Sequence, residues 1–197
     1  MKKLLESYKK SKSQIKARLK DFENNKDYFY ELCFCLLTPQ SSAKRADVCI
    51  QELKQLDFKN KDINPVKILE KKIRFHNNKS NYLKEAKNNY KEIEKALNNI
   101  KDSKELREFL VKNIKGYGYK EASHFLRNIG YKNLAILDRH ILKNLEELKV
   151  IKIPKSLNKN NYLKIENKFQ NFANKVNISM DELDLLFWSQ ETGEIFK

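Results

Sequence analysis

Lys120 is the residue whose position most clearly indicates chemistry. It follows the pair Gly116-x-Gly118 by two residues and precedes an apolar helical pattern, so we expect it in the first turn of a helix. A lysine amine becomes a nucleophile when burial or neighbouring cations let it lose its proton. The alternative interpretation is one exposed lysine among many.

Two glycines and an aspartate surround this lysine in sequence. Gly116 and Gly118 can adopt backbone conformations closed to other residues, and amides at a helix N-terminus favour a bound phosphate. We therefore expect them to contact a phosphate backbone, although they could simply end a helix. Asp138 follows Lys120 by eighteen residues and should cap the next helix, with one carboxylate oxygen left for chemistry.

The charge of the chain points to a polyanionic partner. The 197 residues contain 41 Lys and Arg against 26 Asp and Glu, a formal net charge of +15. Nucleic acid is the commonest partner of such a protein, although solubility alone is the alternative reason for the charge. Lysine outnumbers arginine, which favours attraction to the nucleic-acid backbone over reading of bases. The length suits one large domain or two small lobes.

The cysteines and histidines do not suggest a metal site. Cys33, Cys35 and Cys49 have apolar neighbours, which predicts buried free thiols in a reducing compartment. The three histidines lack metal-ligand spacing with them. No stretch has the length of a membrane span, and the N-terminus does not resemble a signal peptide. We expect a soluble, intracellular protein of the cytoplasm or nucleoid.

Apolar periodicity predicts a chain that is nearly all helix. The segment 28–37 is apolar almost all round and should be a central buried helix. Ser103 is expected to cap one helix, and Ser179 with Glu182 forms a capping-box pattern. Helices are further predicted near residues 4–22, 43–56, 79–100, 104–114, 119–130, 139–148, 160–176 and 179–189, with a short one after Pro65.

The stretch 114–138 resembles the helix-hairpin-helix element of the base-excision DNA glycosylase superfamily. That hairpin usually reads Leu-Pro-Gly-x-Gly-x-Lys and is followed by a loop and a catalytic aspartate. Ile114, Gly116, Gly118 and Lys120 match the pattern, while Lys115 replaces the usual proline. The chain also has LDRHI where relatives show an Asp-x-His sequence.

The resemblance implies a role for each matching residue. Lys120 would attack the sugar C1′ and displace the damaged base, and the resulting Schiff base would undergo β-elimination that nicks the strand. Asp138 would stabilise positive charge on the sugar and assist proton transfer. His140 would be a structural or phosphate-side residue. In relatives the carbonyls of the hairpin often hold a monovalent cation, and the sequence leaves open whether this chain binds one.

The C-terminal stretch MDELDLLFWSQETGEIFK resembles the tail of archaeal-type (type 2) 8-oxoguanine DNA glycosylases. Trp188, Thr192, Gly193 and Lys197 match it. The resemblance implies that Lys197 helps to distinguish 8-oxoguanine from guanine. Oxidation turns N7 into a hydrogen-bond donor, and a terminal carboxylate could accept a hydrogen bond from it. The alternative is a disordered lysine tail. Trp188 would stack on the extruded base or lie in the core.

Two further segments resemble DNA-contacting parts of the superfamily. Leu36–Ala43 resembles the Ser-Ala-Gln segment of endonuclease III-like members, which makes Gln40 a candidate to fill the gap left by a flipped base. A solvent-facing turn residue is the equal alternative. Phe75, in an Arg-Phe-His sequence, could form the opposing face of the base pocket. Asp181, near a helix start, is expected to be structural.

Together these patterns predict an all-α DNA glycosylase fold with two helical lobes and the helix-hairpin-helix motif at the cleft between them. The hairpin and catalytic segment would span residues 104–148, and base recognition residues 179–197. The predicted function is a bifunctional glycosylase and AP lyase that acts, as a monomer without an iron–sulfur cluster, on double-stranded DNA containing 8-oxoguanine. The alternatives are an endonuclease III-like glycosylase for oxidised pyrimidines and a non-catalytic helix-hairpin-helix DNA-binding protein.

Overall fold

The protein is helical throughout the part of the chain that the structure describes. The structure is a computed structural model that describes residues 2–197. Within that range it has eleven α-helices and no β-strand, which confirms the all-α prediction. The helices are α1 (Lys2–Asn24), α2 (Tyr28–Leu37), α3 (Ala43–Gln55), α4 (Val66–Leu69), α5 (His76–Asn88), α6 (Tyr90–Asn99), α7 (Ser103–Asn113), α8 (Tyr119–Asn128), α9 (Arg139–Glu147), α10 (Lys159–Val176) and α11 (Met180–Thr192).

The chain divides into two compact units. The central unit is the continuous segment Lys26–Phe125. The flanking unit combines the chain up to Asn25 with the segment Leu126–Lys197. The boundary falls within α8, so this helix begins in the central unit and ends in the flanking one. The expected placement of the hairpin at a cleft between two lobes stays a prediction.

Helix α2 forms the core of the central unit. It covers the predicted residues 28–37 and is buried almost all round, because its sequence is nearly uninterrupted apolar. Helices α3 and α5 pack against it. The phenol of Tyr117, between α7 and α8, donates to the carbonyl of Leu32 at 3.0 Å. This buried bond ties the hairpin to the core helix of its own unit.

Helix α11 has the corresponding place in the flanking unit. It packs against α1, α9 and α10. Its start is fixed by the predicted capping box, in which the Ser179 side chain accepts from the Glu182 amide and the Glu182 side chain accepts from the Ser179 amide. The other Glu182 oxygen accepts from the Tyr8 hydroxyl at 2.7 Å. One glutamate therefore both starts α11 and joins it to α1.

Two predictions about helix boundaries are wrong. The predicted helix 79–100 is interrupted at Asn89, which has φ −94° and ψ 5° and separates α5 from α6. The apolar stripe continues across the break, while asparagine competes for backbone hydrogen bonds and favours helix ends. Ser103 does not cap α7; Asp102 does, with its carboxylate accepting from the amides of Lys104 and Glu105.

The prediction that the cysteines are buried free thiols is confirmed. Cys33, Cys35 and Cys49 are free and buried. Burial raises the pKa of the Cys49 thiol, so this group stays protonated near neutral pH. Among the helices of residues 2–197, none has the length and apolar character needed to cross a membrane.

Candidate active site

The two glycines of the hairpin between α7 and α8 have different structural roles. Gly116 has φ +91°, a conformation that favours glycine, and an added Cβ would lie 2.5 Å from the Tyr82 ring and 3.2 Å from Leu36. Gly118 has no such backbone requirement, which corrects the expectation that both glycines supply special conformations. Its N–H instead donates to Glu121 Oε2 at 3.1 Å. Contact of either glycine with DNA stays a prediction.

Lys120 lies in the first turn of α8, as predicted. Its side chain is 23% exposed, and its Nζ is 3.3 Å from Glu121 Oε1. The Glu121 side chain is 14% exposed and uses its other oxygen for the hairpin amide. One carboxylate therefore bridges the hairpin backbone and the candidate nucleophile. Glu121 is not among the predicted site residues, although its position directly after Lys120 is a signal that could have identified it.

Lys115, at the position of the usual proline, adds an exposed charge. Its Nζ is 3.7 Å from Glu85 Oε2, and both side chains are largely exposed. Such a surface pair contributes little to stability. The lysine therefore stays accessible to an anionic partner.

A second lysine, Lys79, lies buried in the same unit. Its Nζ donates to the carbonyls of Leu37 and Pro39 and to the hydroxyl of Ser41. Burial, followed by the positive charge of Lys120, lowers the pKa of Lys79 from 10.5 to about 8, while the charge of Glu121 opposes the shift. No sequence signal distinguished this lysine from the many others of the chain.

Gln40 and Phe75 lie at one pocket of the central unit. The pocket has a volume of about 300 Å³, and its lining also includes Lys79, Tyr82 and Gly116. Both Gln40 and Phe75 are exposed, Phe75 by half. The structure therefore brings together Gln40, predicted to fill the gap left by a flipped base, and Phe75, predicted to face the extruded base. The two residues are 35 positions apart in the chain.

Asp138 caps α9, as predicted. Its Oδ1 accepts from the amides of His140 and Ile141, both at 2.8 Å. The cap uses one oxygen, so Oδ2 of this half-exposed carboxylate stays available to a ligand. The capping and chemical interpretations of Asp138 are therefore compatible.

His140 faces another helix of the flanking unit. Its Nδ1 is 3.8 Å from Glu191 Oε2, and Glu191 also pairs with Lys143 at 2.9 Å. The Lys143 contact lowers the pKa of Glu191, so this carboxylate is ionised at neutral pH. These contacts join α9 to α11, which fits the structural interpretation of His140. Its role in DNA binding stays a prediction.

The C-terminal segment is folded against its own unit. Gly193 ends α11 with φ +82° and donates its N–H to Ser189 O. After this turn, the carbonyl of Phe196 accepts from Arg18 of α1, and the Phe196 ring lies 6.5 Å from that of Trp188. Residues 194–197 are half-buried, unlike a frayed tail. Trp188 is also half-buried, so it lies at the edge of the core.

Asp181 is a structural residue of α11, as expected. It is buried and accepts from the Asn133 amide at 3.3 Å. Burial raises the pKa of Asp181 from 3.8 to about 6, while the Asn133 bond and the charges of Arg127 and Lys132 oppose the shift. Arg127 is itself buried and pairs with Asp184 at 3.5 Å.

The predicted site residues belong to both units. Gln40, Phe75, Gly116, Gly118 and Lys120 lie in the central unit. The flanking unit contains Asp138, His140, Trp188 and Lys197. Their cooperation in one reaction stays a prediction.

Comparison with known proteins identifies the family. The profile of the Ogg-HhH family, described as 8-oxoguanine DNA glycosylase, matches residues 12–178. A relative from Fusobacterium nucleatum, named 8-oxoguanine DNA glycosylase/AP lyase, is 47% identical over 96% of this chain and 94% of its own length. The relative of the same name from Methanocaldococcus jannaschii is 40% identical over 94% and 93%, respectively.

Solved structures agree with the sequence relatives. The M. jannaschii 8-oxoguanine glycosylase/lyase in complex with DNA containing 8-oxoguanine has a TM-score of 0.90 and 38% identity, and the match covers 99% of this chain and 98% of that one. The 8-oxoguanine DNA glycosylase of Thermotoga maritima has a TM-score of 0.89 and 30% identity, with 100% and 97% covered. This chain belongs to the helix-hairpin-helix family of 8-oxoguanine DNA glycosylases.

Proposed function

We propose that this protein is a bifunctional DNA glycosylase and AP lyase that excises 8-oxoguanine from double-stranded DNA. The observation that carries the proposal is the folded Gly116-x-Gly118-x-Lys120 hairpin, in a chain 47% identical over 96% of its length to an enzyme with that name. The net charge of +15 suits a DNA substrate. We further propose that the protein acts inside the cell, as a monomer and without a redox cofactor.

Lys120 is the nucleophile of the proposed reaction. Its neutral amine attacks C1′ of the damaged nucleotide, the N-glycosidic bond breaks, and the base leaves with the bonding electrons and takes up a proton. Loss of a proton from nitrogen and opening of the sugar ring at O4′ then give the Schiff base. Removal of a C2′ proton breaks the C3′–O3′ bond and nicks the strand on the 3′ side. Partial burial of Lys120 limits competition by water.

Asp138 is the acidic partner in this proposal. The sugar develops positive charge as the base leaves, and a carboxylate fixed beside that charge stabilises the transition state. Because the α9 amides hold Oδ1, the direction of Oδ2 is set before the substrate binds. The proposed role requires this oxygen to reach the sugar that Lys120 attacks.

The DNA contacts proposed for the central unit come from the hairpin and from two exposed residues. Gly116 and Gly118 would face the phosphate backbone at the start of α8, where the helix dipole favours an anion. Gln40 would fill the gap left by the flipped nucleotide. Because Phe75 shares a pocket with Gln40, we place it against the bases at this gap, and not opposite Trp188 on the extruded base as the sequence suggested. Their shared pocket and exposure support this assignment.

The C-terminal segment is proposed to select the base. In 8-oxoguanine N7 is a donor, whereas in guanine it is an acceptor, so an acceptor supplied by residues 194–197 would discriminate between them. The Lys197 ammonium would hold or complement that acceptor, and Trp188 would stack on the base. The half-buried position of this segment beside the Trp188 ring supports the proposal.

Borohydride trapping tests the central claim. Reduction of the Schiff base should link the protein covalently to a duplex that contains 8-oxoguanine. Lys120→Gln should abolish the adduct and leave DNA affinity nearly unchanged, with Lys115→Gln on the same hairpin as the matched control. A non-catalytic DNA-binding protein would give no adduct with either the wild type or the control.

An excision panel tests the substrate. The panel compares duplexes with 8-oxoguanine, thymine glycol, uracil and guanine. The proposal requires fastest release of 8-oxoguanine and little release of guanine. Preference for thymine glycol would instead identify an endonuclease III-like enzyme. Deletion of Lys197 should slow release of 8-oxoguanine more than cleavage at a preformed abasic site, and equal losses would contradict its role in base selection.

A further inference from the structure

Lys79 is a buried ammonium to which the proposed reaction gives no role. It is only 4% exposed. A buried charge is costly unless hydrogen-bond acceptors compensate for the lost water. Lys79 Nζ donates to Leu37 O at 2.7 Å, to Pro39 O at 2.6 Å and to Ser41 Oγ at 3.0 Å. These three residues flank Gln40 on both sides, so the contacts of one ammonium enclose the loop that carries Gln40.

Gln40 and Phe75 share an unusual backbone conformation. Gln40 has φ 54° and Phe75 has φ 58°, both in the left-handed region that residues with side chains seldom adopt. Such strain persists where the surrounding structure enforces it, and it is common at ligand-binding sites. We therefore expect contacts in the surrounding structure to hold these two strained and exposed residues in place at their pocket.

Ser41 links that support to the second loop. Its hydroxyl oxygen accepts from Lys79 Nζ at 3.0 Å and from the amide of Arg74 at 3.1 Å. Arg74 directly precedes Phe75, and its guanidinium lies 4.9 Å from the centroid of the Phe75 ring. A continuous chain of contacts thus runs from the Gln40 loop through Ser41 to Phe75, with Lys79 at its buried end.

We infer that Lys79 is a positioning residue that holds Gln40 and Phe75 together, ready to occupy the space opened when the target nucleotide leaves the duplex. The inference rests on the proposed function, because it assigns Lys79 to the DNA-contacting part of the same site. An ammonium has three donors, which match the three acceptors of this loop. Order established before binding lowers the entropy lost when the loop meets DNA.

The experiment compares single-turnover excision of 8-oxoguanine from a duplex and from the same strand alone, since a single strand has no base stack to refill. Lys79→Met keeps the length of the side chain and removes its donors. Gln40→Ala and the double variant Lys79→Met/Gln40→Ala complete a double-mutant cycle. The matched control is Lys84→Met, which removes a charge from an exposed position of the same helix.

Lys79→Met should slow excision from the duplex about tenfold and excision from the single strand less than about twofold. A misplaced Gln40 slows the filling of the gap in the base stack, and only the duplex requires that step. The double variant should excise 8-oxoguanine from the duplex at roughly the rate of the slower single variant, since both changes act through one loop. Lys84→Met should match the wild type on both substrates.

Equal losses on duplex and single strand, or additive losses in the double variant, would overturn the inference and leave Lys79 with a role in folding alone. If Lys79→Met does not fold, Ser41→Ala decides, because it removes one acceptor of Lys79 and the link to Arg74. Its loss should also be confined to the duplex. A wild-type protein that releases no 8-oxoguanine would overturn the proposed function as well, whereas an active wild type with unaffected variants overturns the inference alone.

Discussion

The first turns of α5 and α8 each contain a lysine, and the two lysines have opposite surroundings. Lys79 is the fourth residue of α5 and is 4% exposed, with its ammonium held by three uncharged oxygens. Lys120 is the second residue of α8 and its side chain is 23% exposed. Its ammonium forms an ion pair with Glu121, whose Oε1 is 3.3 Å away.

This difference in surroundings supports the two different roles that we propose for the two lysines. A lysine whose donors are all accepted by the protein is fixed, and it acts on its neighbours by holding them. A lysine beside one carboxylate, at an accessible helix start, can still turn toward a substrate. Under these proposals, burial together with the number and kind of acceptors would distinguish the positioning lysine from the nucleophilic one.

Replacement of Lys120 is the strongest test of this comparison. Lys120→Arg keeps the positive charge but removes the amine that forms an imine, since a guanidinium does not lose its proton in proteins. Excision should fall by at least roughly 10³-fold, as expected when a covalent nucleophile is removed. Borohydride should leave no adduct, although Lys79 lies nearby. A residual adduct that disappears in Lys120→Arg/Lys79→Met would show that Lys79 can act as a nucleophile.

Asp138 extends the comparison to a carboxylate that caps α9 and for which we propose a second role in the reaction. Asp138→Asn keeps an oxygen that can cap α9 but loses the negative charge, so stability should be retained while excision falls about 10²-fold. Asp138→Ala should lose the same activity and, in addition, about 1 kcal/mol of unfolding free energy. Denaturant unfolding and single-turnover excision separate the two effects. An Asn variant as active as the wild type would show that the charge is not used.

The elements that the sequence predicted correctly depend on local signals. The helix 28–37 follows from an apolar run that ends before a proline, and the caps at Asp138 and Ser179 follow from residue types next to apolar periodicity. The family followed from a short hairpin motif and the tail, and the comparisons confirm it. In each case the interaction that determines the structure involves residues close together in the chain, so a local sequence pattern is enough to predict it.

The features that the sequence did not reveal depend on distant contacts or on competition between neighbours. The acceptors of Lys79 lie 38 to 42 positions earlier in the chain, and no local pattern marks a lysine that will be buried by them. Asp102 and Ser103 are both good caps, and the chain uses the first. At Asn89 the apolar stripe continues although the helix does not, so periodicity alone predicted one helix.

Glu121 offers a finer test, because its two oxygens have separate partners. Glu121→Gln can still accept from the Gly118 amide but loses the charge beside Lys120, so stability should stay within about 0.5 kcal/mol while excision falls roughly fivefold. Glu121→Ala should also lose about 1 kcal/mol of stability. Thermal unfolding and trapping rates distinguish these outcomes. Full activity in the Gln variant would reduce Glu121 to a cap of the hairpin.

The smallest expected effect is a pH dependence of stability that belongs to Lys79. Burial and the charge of Lys120 lower the pKa of Lys79 to about 8, whereas the unfolded chain has a value near 10.5. Between these values the unfolded state binds more protons, so Lys79 should make the unfolding free energy rise with pH. Below about pH 8 both states are protonated, and the unfavourable contribution of the buried charge is fully present.

The measurement is the difference in unfolding free energy between the wild type and Lys79→Met at several values from pH 7 to pH 10. This difference should stay flat at first and then rise with pH by at most about 1.4 kcal/mol per pH unit. Use of the difference removes the other lysines and tyrosines that titrate in the same range. The exposed control Lys84→Met should show no such rise. Parallel curves for wild type and Lys79→Met would mean that the three acceptors fully offset burial, and the two lysines would then differ in geometry but not in charge.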